Sequence, residues 1–117
     1  MRNKNHLLKH LHMDEEIVLS AVCTVEIHLA GKKQYLGRLV LTNEKMLFAF
    51  NSFNRNGRVV PYYYQKISML KKKKGLLGNY LAIRYDHALV NFKYFVPADL
   101  NAVYNKLLLC LVKKATE

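Results

Sequence analysis

The sequence predicts a mainly β domain, an antiparallel sandwich or partly open barrel of about seven strands in two sheets, closed by one C-terminal helix. Three stretches predict it. From Ile17 to Leu29 apolar residues alternate with Ser20, Thr24, Glu26 and His28, a period of two that marks a long half-buried strand. From Leu36 to Phe50 two apolar arms flank Thr42-Asn43-Glu44-Lys45, which reads as a β-hairpin. From Pro97 onward the spacing becomes helical, with Leu100, Val103, Tyr104, Leu107, Leu108, Cys110 and Leu111 on one stripe.

Taken in order, residues 1–13 form an N-terminal arm. Within it, Asn3 to His12 predicts a short amphipathic helix carrying Leu7, Leu8 and Leu11, a surface for the domain or a partner. His6 and His10 stand at i and i+4, the spacing of two metal ligands on one helix. No cysteine or carboxylate joins them on that face, so solvated histidines are the favoured reading and no metal is expected. Residues 14–117 form the domain proper. Ala30-Gly31-Lys32-Lys33 is the expected turn into the central hairpin. Met46, Phe48 and Phe50 share an apolar face, as do Gly37, Leu39 and Leu41, while Arg38 points the other way. Asn51 to Gly57 is a polar loop with one phenylalanine, Phe53. Val59 to Tyr64 is a fourth strand that Pro61 demotes to an edge or a bulge. Ile67 to Leu70 is a fifth, ending at a lysine-rich loop, Lys71-Lys72-Lys73-Lys74. Asn79 to Tyr85 and Leu89 to Phe95 make a second hairpin through Asp86-His87-Ala88, with Val90, Phe92 and Tyr94 on one face and Asn91 and Lys93 on the other. Pro97 opens the helix where its missing donor is harmless, Asp99 sits in the first turn, and Lys113 and Lys114 suit the last. Leu109 and Val112 fall off the stripe and are expected to meet a partner.

Gly37, Leu39-Val40-Leu41-Thr42-Asn43 and Lys45-Met46-Leu47-Phe48 resemble the glycine, "LTN" and basic-hydrophobic-phenylalanine signature of bacterial pleckstrin-homology (PH)-like domains and the related GRAM domains. Met13-Asp14-Glu15-Glu16-Ile17 is similar to the acidic lead-in before the first strand of that family. Tyr64-Gln65-Lys66-Ile67-Ser68-Met69-Leu70 is similar to its later strand before a basic turn. The likeness runs from residue 13 to about 113. It implies a split barrel of two antiparallel sheets plugged by a C-terminal helix, and a capacity for homo-oligomers. Eukaryotic members of the resembled family bind phosphoinositide headgroups through basic residues between their first two strands. Here that turn holds only Lys32 and Lys33, and the lysine run follows the fifth strand.

Charge and motifs bound the function. Net charge is +11, from 19 Lys and Arg against 8 Asp and Glu, which favours anionic partners without choosing among them. No apolar run approaches the length of a membrane span, and no signal-peptide core is present. Cys23 and Cys110 lie on apolar faces without metal spacing and read as reduced, buried small hydrophobes of a cytoplasmic protein that does not need a disulfide between them, while the basic charge is what would hold it peripherally at the inner face of the membrane. Gly75-Leu76-Leu77-Gly78 lacks the Lys-Thr or Lys-Ser of a phosphate loop, and Asp14-Glu15-Glu16 is the only carboxylate cluster, so neither catalysis nor a cofactor is expected. The anion- or membrane-facing residues are then Lys32, Lys33, Lys66, Lys71, Lys72, Lys73 and Lys74. The partner surface is Leu7, Leu8, Leu11, Leu109 and Val112. The expected function is a binding or scaffold module for protein interaction or self-assembly, with weak attachment to anionic membranes. The alternative is single-stranded nucleic-acid binding, with Tyr62, Tyr63, Tyr64, Tyr80 and Tyr85 stacking bases beside the lysines.

Overall fold

The computed structural model describes residues 11–29, 31–51 and 58–115. Seven strands appear in the expected order. They are β1 (Ile17–Leu29), β2 (Gly31–Thr42), β3 (Lys45–Phe50), β4 (Val59–Tyr63), β5 (Ile67–Gly75), β6 (Gly78–Tyr85) and β7 (Ala88–Lys93). A 3-10 turn (Tyr64–Lys66) precedes β5, and the helix α1 (Pro97–Ala115) closes the domain. The predicted N-terminal helix with Leu7 and Leu8, and the loop phenylalanine Phe53, lie outside the described residues.

All pairings are antiparallel, and the strand order β4-β3-β2-β1-β7-β6-β5 leaves β4 and β5 as edges. The two expected sheets are joined through β1. This strand pairs with β2 along its whole length, from Ile17 with Thr42 to Leu29 with Gly31, and with β7 only from Thr24 to His28. A register shift between Ile17 and Leu19 supplies the expected bulge. The turn expected at Ala30 to Lys33 is tighter than its composition suggests. Gly31, at φ 102°, already pairs in β2, and Lys32 and Lys33 face His28 and Ile27 across the ladder.

One face of the bent sheet closes on the core. Alternation in β1 buries Ala21, Cys23 and Val25, and the central hairpin adds Leu39, Leu41, Met46, Phe48 and Phe50. Phe48 and Phe50 meet edge to face at 5.2 Å, and Tyr62 packs edge-on against Phe92 at 5.9 Å. Gly37 explains itself here. A Cβ at that position would overlap the Ala49 carbonyl oxygen and lie 2.7 Å from two atoms of the Phe48 ring. The helix lowers Leu100, Val103 and Leu107 into the core and packs against the 3-10 turn, β1, β5 and β6. Leu108, predicted on the buried stripe, is instead exposed beside Leu109 and Val112. Leu108 lies 100° past Leu107 on the side toward Val112, at the far edge of the stripe and beyond the arc that Leu100, Val103 and Leu107 press into the core. On the sheet's other face Val40 and Leu47 are also buried, under Leu11 and Val59.

Candidate functional site

Two buried ionic clusters occupy positions that alternation alone treats as surface. Lys45 Nζ donates to Glu15 Oε1 at 2.6 Å, with both side chains almost wholly buried. Thr42 Oγ1 donates to Glu15 Oε2, and the His12 amide donates to Oε1 at 3.0 Å. Burial opposes ionisation of Glu15. The hydrogen bonds from Lys45, Thr42 and the His12 amide, with the Lys45 charge, outweigh it and hold the carboxyl below its ordinary value. Asn43 completes the joint, its side chain accepting from the Glu16 amide at 2.8 Å and its own amide donating to the Glu16 carbonyl at 3.1 Å. Tyr64 OH donates to the Thr42 carbonyl at 2.7 Å. Burial, with Cys110 beside it, pushes that phenol well above its ordinary value. The acidic lead-in and the LTN-x-K turn are thus two halves of one clasp that ties the start of β1 to the central hairpin.

The second cluster is centred on Glu26, which is buried although its place in β1 reads as polar and outward. It accepts from Gln34 Nε2 at 2.7 Å and Asn91 Nδ2 at 3.0 Å, and pairs with Lys93 Nζ at 3.0 Å. Asn91 is accordingly buried too. Both clusters tie separate strands together through buried polar contacts. Among the described residues, the ligand atoms of His12, Glu15 and Glu44 lie within 4.8 Å of one another. Glu15 is already engaged by Lys45, Thr42 and the His12 amide, and His12 Nδ1 lies 2.7 Å from Glu44 Oε1.

The lysine run is the exposed feature, and its setting corrects the sequence reading. Lys71 to Lys74 do not follow a strand as a loop. They form the second half of β5, paired in register with Ala82, Leu81, Tyr80 and Asn79 of β6. A lysine can hold this position because its stem lies along the sheet while its ammonium stays in water. As an edge, β5 is also where charge prevents edge-to-edge pairing with another chain. Alternation splits the run between two faces. Lys72 lies on the helix side, donating to Asn101 Oδ1 at 3.0 Å with its ammonium 5.0 Å from the Tyr104 ring centroid. Lys71 and Lys73 share the outer face with Tyr80, over which Lys93 stands at 5.0 Å.

The seven predicted lysines do not form one patch. Ladder pairs run Lys32 with His28, His28 with Leu89, Ala88 with Tyr85 and Tyr85 with Ile67, which places Lys32, Lys33 and Lys66 toward one end of the strands. Lys73 and Lys74 lie at the other end, beside the β5–β6 turn. At that turn Leu76 is fully exposed and Leu77 is 81% exposed. Sequence reasoning saw these residues only as a failed phosphate loop; the available signal was a Leu-Leu pair between glycines directly after a lysine run. Of the predicted partner surface, Leu109 and Val112 are exposed on α1, whereas Leu11 is half-buried over Val40 and Leu47. The tyrosines do not make a stacking platform. Tyr62 and Tyr64 are core residues, and Tyr85 packs edge-on against Tyr62 at 5.0 Å.

A bent antiparallel sheet plugged by one helix, with a charged edge strand left open, defines a binding or scaffold module. Residues 11–108 match the sequence model of the bacterial PH domain family, and the chain belongs to that family. Its structure is similar to the Vps36 N-terminal PH domain, with a TM-score of 0.74 and 13% identity over 92% of this chain and 86% of that one. It is also similar to the C-terminal domain of an unknown protein from Leishmania infantum, with a TM-score of 0.70 and 15% identity over 94% of this chain and 92% of that one. At these identities the likeness is one of fold. No curated protein matches the sequence.

Proposed function

We propose that this PH domain is a non-enzymatic docking module that attaches to anionic membrane surfaces through the β5–β6 end of its sheet, on the cytoplasmic side. One observation carries the reading: four consecutive exposed lysines occupy an edge strand within a stretch, residues 45–85, that contains no acidic residue. Each lysine near an anionic leaflet contributes roughly 1 kcal/mol, so the four together support a weak, salt-sensitive attachment. Free Cys23 and Cys110, with burial pushing the Cys23 thiol up to about 12, fit a reducing compartment. No helix among the described residues is long and apolar enough to cross a membrane.

Co-sedimentation with phosphatidylserine-containing vesicles is the test. The protein is expected to bind at low salt, to release as ionic strength rises, and to ignore pure phosphatidylcholine. Changing all four lysines to glutamine should abolish the binding. A quadruple variant that binds like the parent would refute the assignment.

A second reading rests on α1. Leu108, Leu109 and Val112 form an exposed apolar row at helical spacing, Leu109 being 65% and Val112 55% exposed, which supports self-assembly or a protein partner. Light scattering tests self-assembly directly. A strict monomer at high concentration would remove that half of the reading.

A further inference from the structure

We propose that the β5–β6 turn is a membrane-inserting tip, with Leu76 and Leu77 entering the acyl region of an anionic leaflet while the lysines of β5 bind its headgroups. The inference rests on the membrane reading above and names the part of the molecule that crosses the interface.

Three observations carry it. The first is that the fold has no use for leucine at these positions. A two-residue hairpin turn is normally filled by Gly, Asn or Asp, because its backbone needs positive φ and its side chains face water. Here the unusual backbone is carried just outside the tip, by Gly78 at φ 120°, paired across the strand with Gly75. Leu76 and Leu77 are left free of conformational duty, and neither joins the hydrophobic core. Two adjacent large apolar side chains at full or near-full exposure are therefore an apolar probe on a rigid stalk.

The second is the distance between the leucines and the charge. At ~3.3 Å per strand residue, Lys74 and Lys73 sit roughly 7 to 10 Å behind Leu76, and Lys72 and Lys71 roughly 13 to 17 Å behind. The polar headgroup layer is about 5 to 7 Å deep on each side of the hydrocarbon. With Leu76 and Leu77 just inside the acyl boundary, Lys73 and Lys74 stand at headgroup level, and their long stems let the ammonium groups adjust along the normal.

The third is the sign of the surroundings. From Lys66 to Lys93 the β5–β6–β7 unit carries seven Lys or Arg against one acid, Asp86, which lies at the opposite end of β6. An acidic or neutral protein groove would also accept two leucines. A ladder of lysines on both faces of the strand suits an extended anionic plane better than a pocket.

The sequence has no tryptophan, so Leu76→Trp introduces a unique reporter. Its emission is expected to shift to shorter wavelength on addition of phosphatidylserine-containing vesicles and to be quenched by brominated acyl chains, whereas Leu109→Trp on the helix should stay unshifted. Leu76→Ser/Leu77→Ser should weaken partition at low salt on the order of a hundredfold. Both substitutions lie in an exposed turn, and an unchanged melting temperature verifies the fold. Anionic vesicle binding with no shift at position 76, and with the serine variant binding like the parent, overturns insertion while leaving the Coulombic attachment standing. Absence of binding to anionic vesicles overturns both readings. A shift at Leu109→Trp in place of Leu76→Trp overturns the tip as the inserting element.

Discussion

Replacing Lys45 with methionine should be among the most destabilising single changes in this domain, although the new side chain fits and is more apolar. The reason lies in what remains. Glu15 would keep the hydrogen bonds from Thr42 and the His12 amide but lose the Lys45 ammonium, 2.6 Å away in a site from which water is nearly excluded. Removing one partner of a buried pair typically costs about 3–5 kcal/mol, because it strands an uncompensated charge. For a domain near this size each kcal/mol moves the melting temperature by about 4 °C, so thermal denaturation followed by circular dichroism should report a fall of roughly 12–20 °C. Adding Glu15→Gln to the variant should recover much of the loss, since the amide still bonds Thr42 and carries no charge to strand.

The pH dependence gives the reasoning a sign that can fail. In the parent, the Glu15 pKa is held below its ordinary value of 4.5, so its contribution to stability is present at neutral pH and is lost as pH falls through the lowered pKa. In Lys45→Met the hydrogen bond and charge from Lys45 are gone and burial dominates, so the folded-state pKa rises and the penalty is relieved as pH falls. The stability gap between parent and variant should therefore narrow on going from pH 7 to pH 4. A gap that stays constant or widens would mean that the loss came from packing and not from the stranded carboxylate. Failure of Glu15→Gln to rescue would say the same.

Gly37→Ala should destabilise by about 1–3 kcal/mol, read from urea midpoints, because the added methyl must displace the Ala49 carbonyl or the Phe48 ring. Phe48→Ala should cost about 3–5 kcal/mol in the same assay, since its wholly buried ring touches Phe50 and Phe92 at the centre of the core. Cys23 should resist alkylation at pH 8 in the folded protein and react on unfolding, its thiol being buried and pushed up to about 12.

How far the sequence carries depends on whether a residue's setting is local. The bounds of strand β1, Ile17 to Leu29, were legible, because a period of two sustained over that length marks a strand. The central hairpin was legible for the same reason, and Met46, Phe48 and Phe50 are buried as read. Glu26 and Asn91 were not. Both sit on the polar phase of their strands, and only the pairing of β1 with β7, which sets Glu26 opposite Asn91, creates the buried site that holds them. Glu15 and Lys45 were quoted as parts of two separate motifs, and 30 residues of chain hid that they are one ion pair.

The lysine run failed differently. Four charges in a row read as a loop, since a strand usually alternates, yet β5 is an edge whose lysine backbones pair with β6 while their ammonium groups escape on both faces. That misreading also hid the tip. If the lysines form the loop, Leu76 and Leu77 are merely the residues after it. Once the lysines are strand, the leucines become the turn itself, held out by a ladder paired to Gly75 and Gly78. The same four lysines keep the edge from pairing with another chain and leave the apolar tip as the surface that can be buried. An unpaired edge and the proposed membrane attachment thus make the same demand on β5.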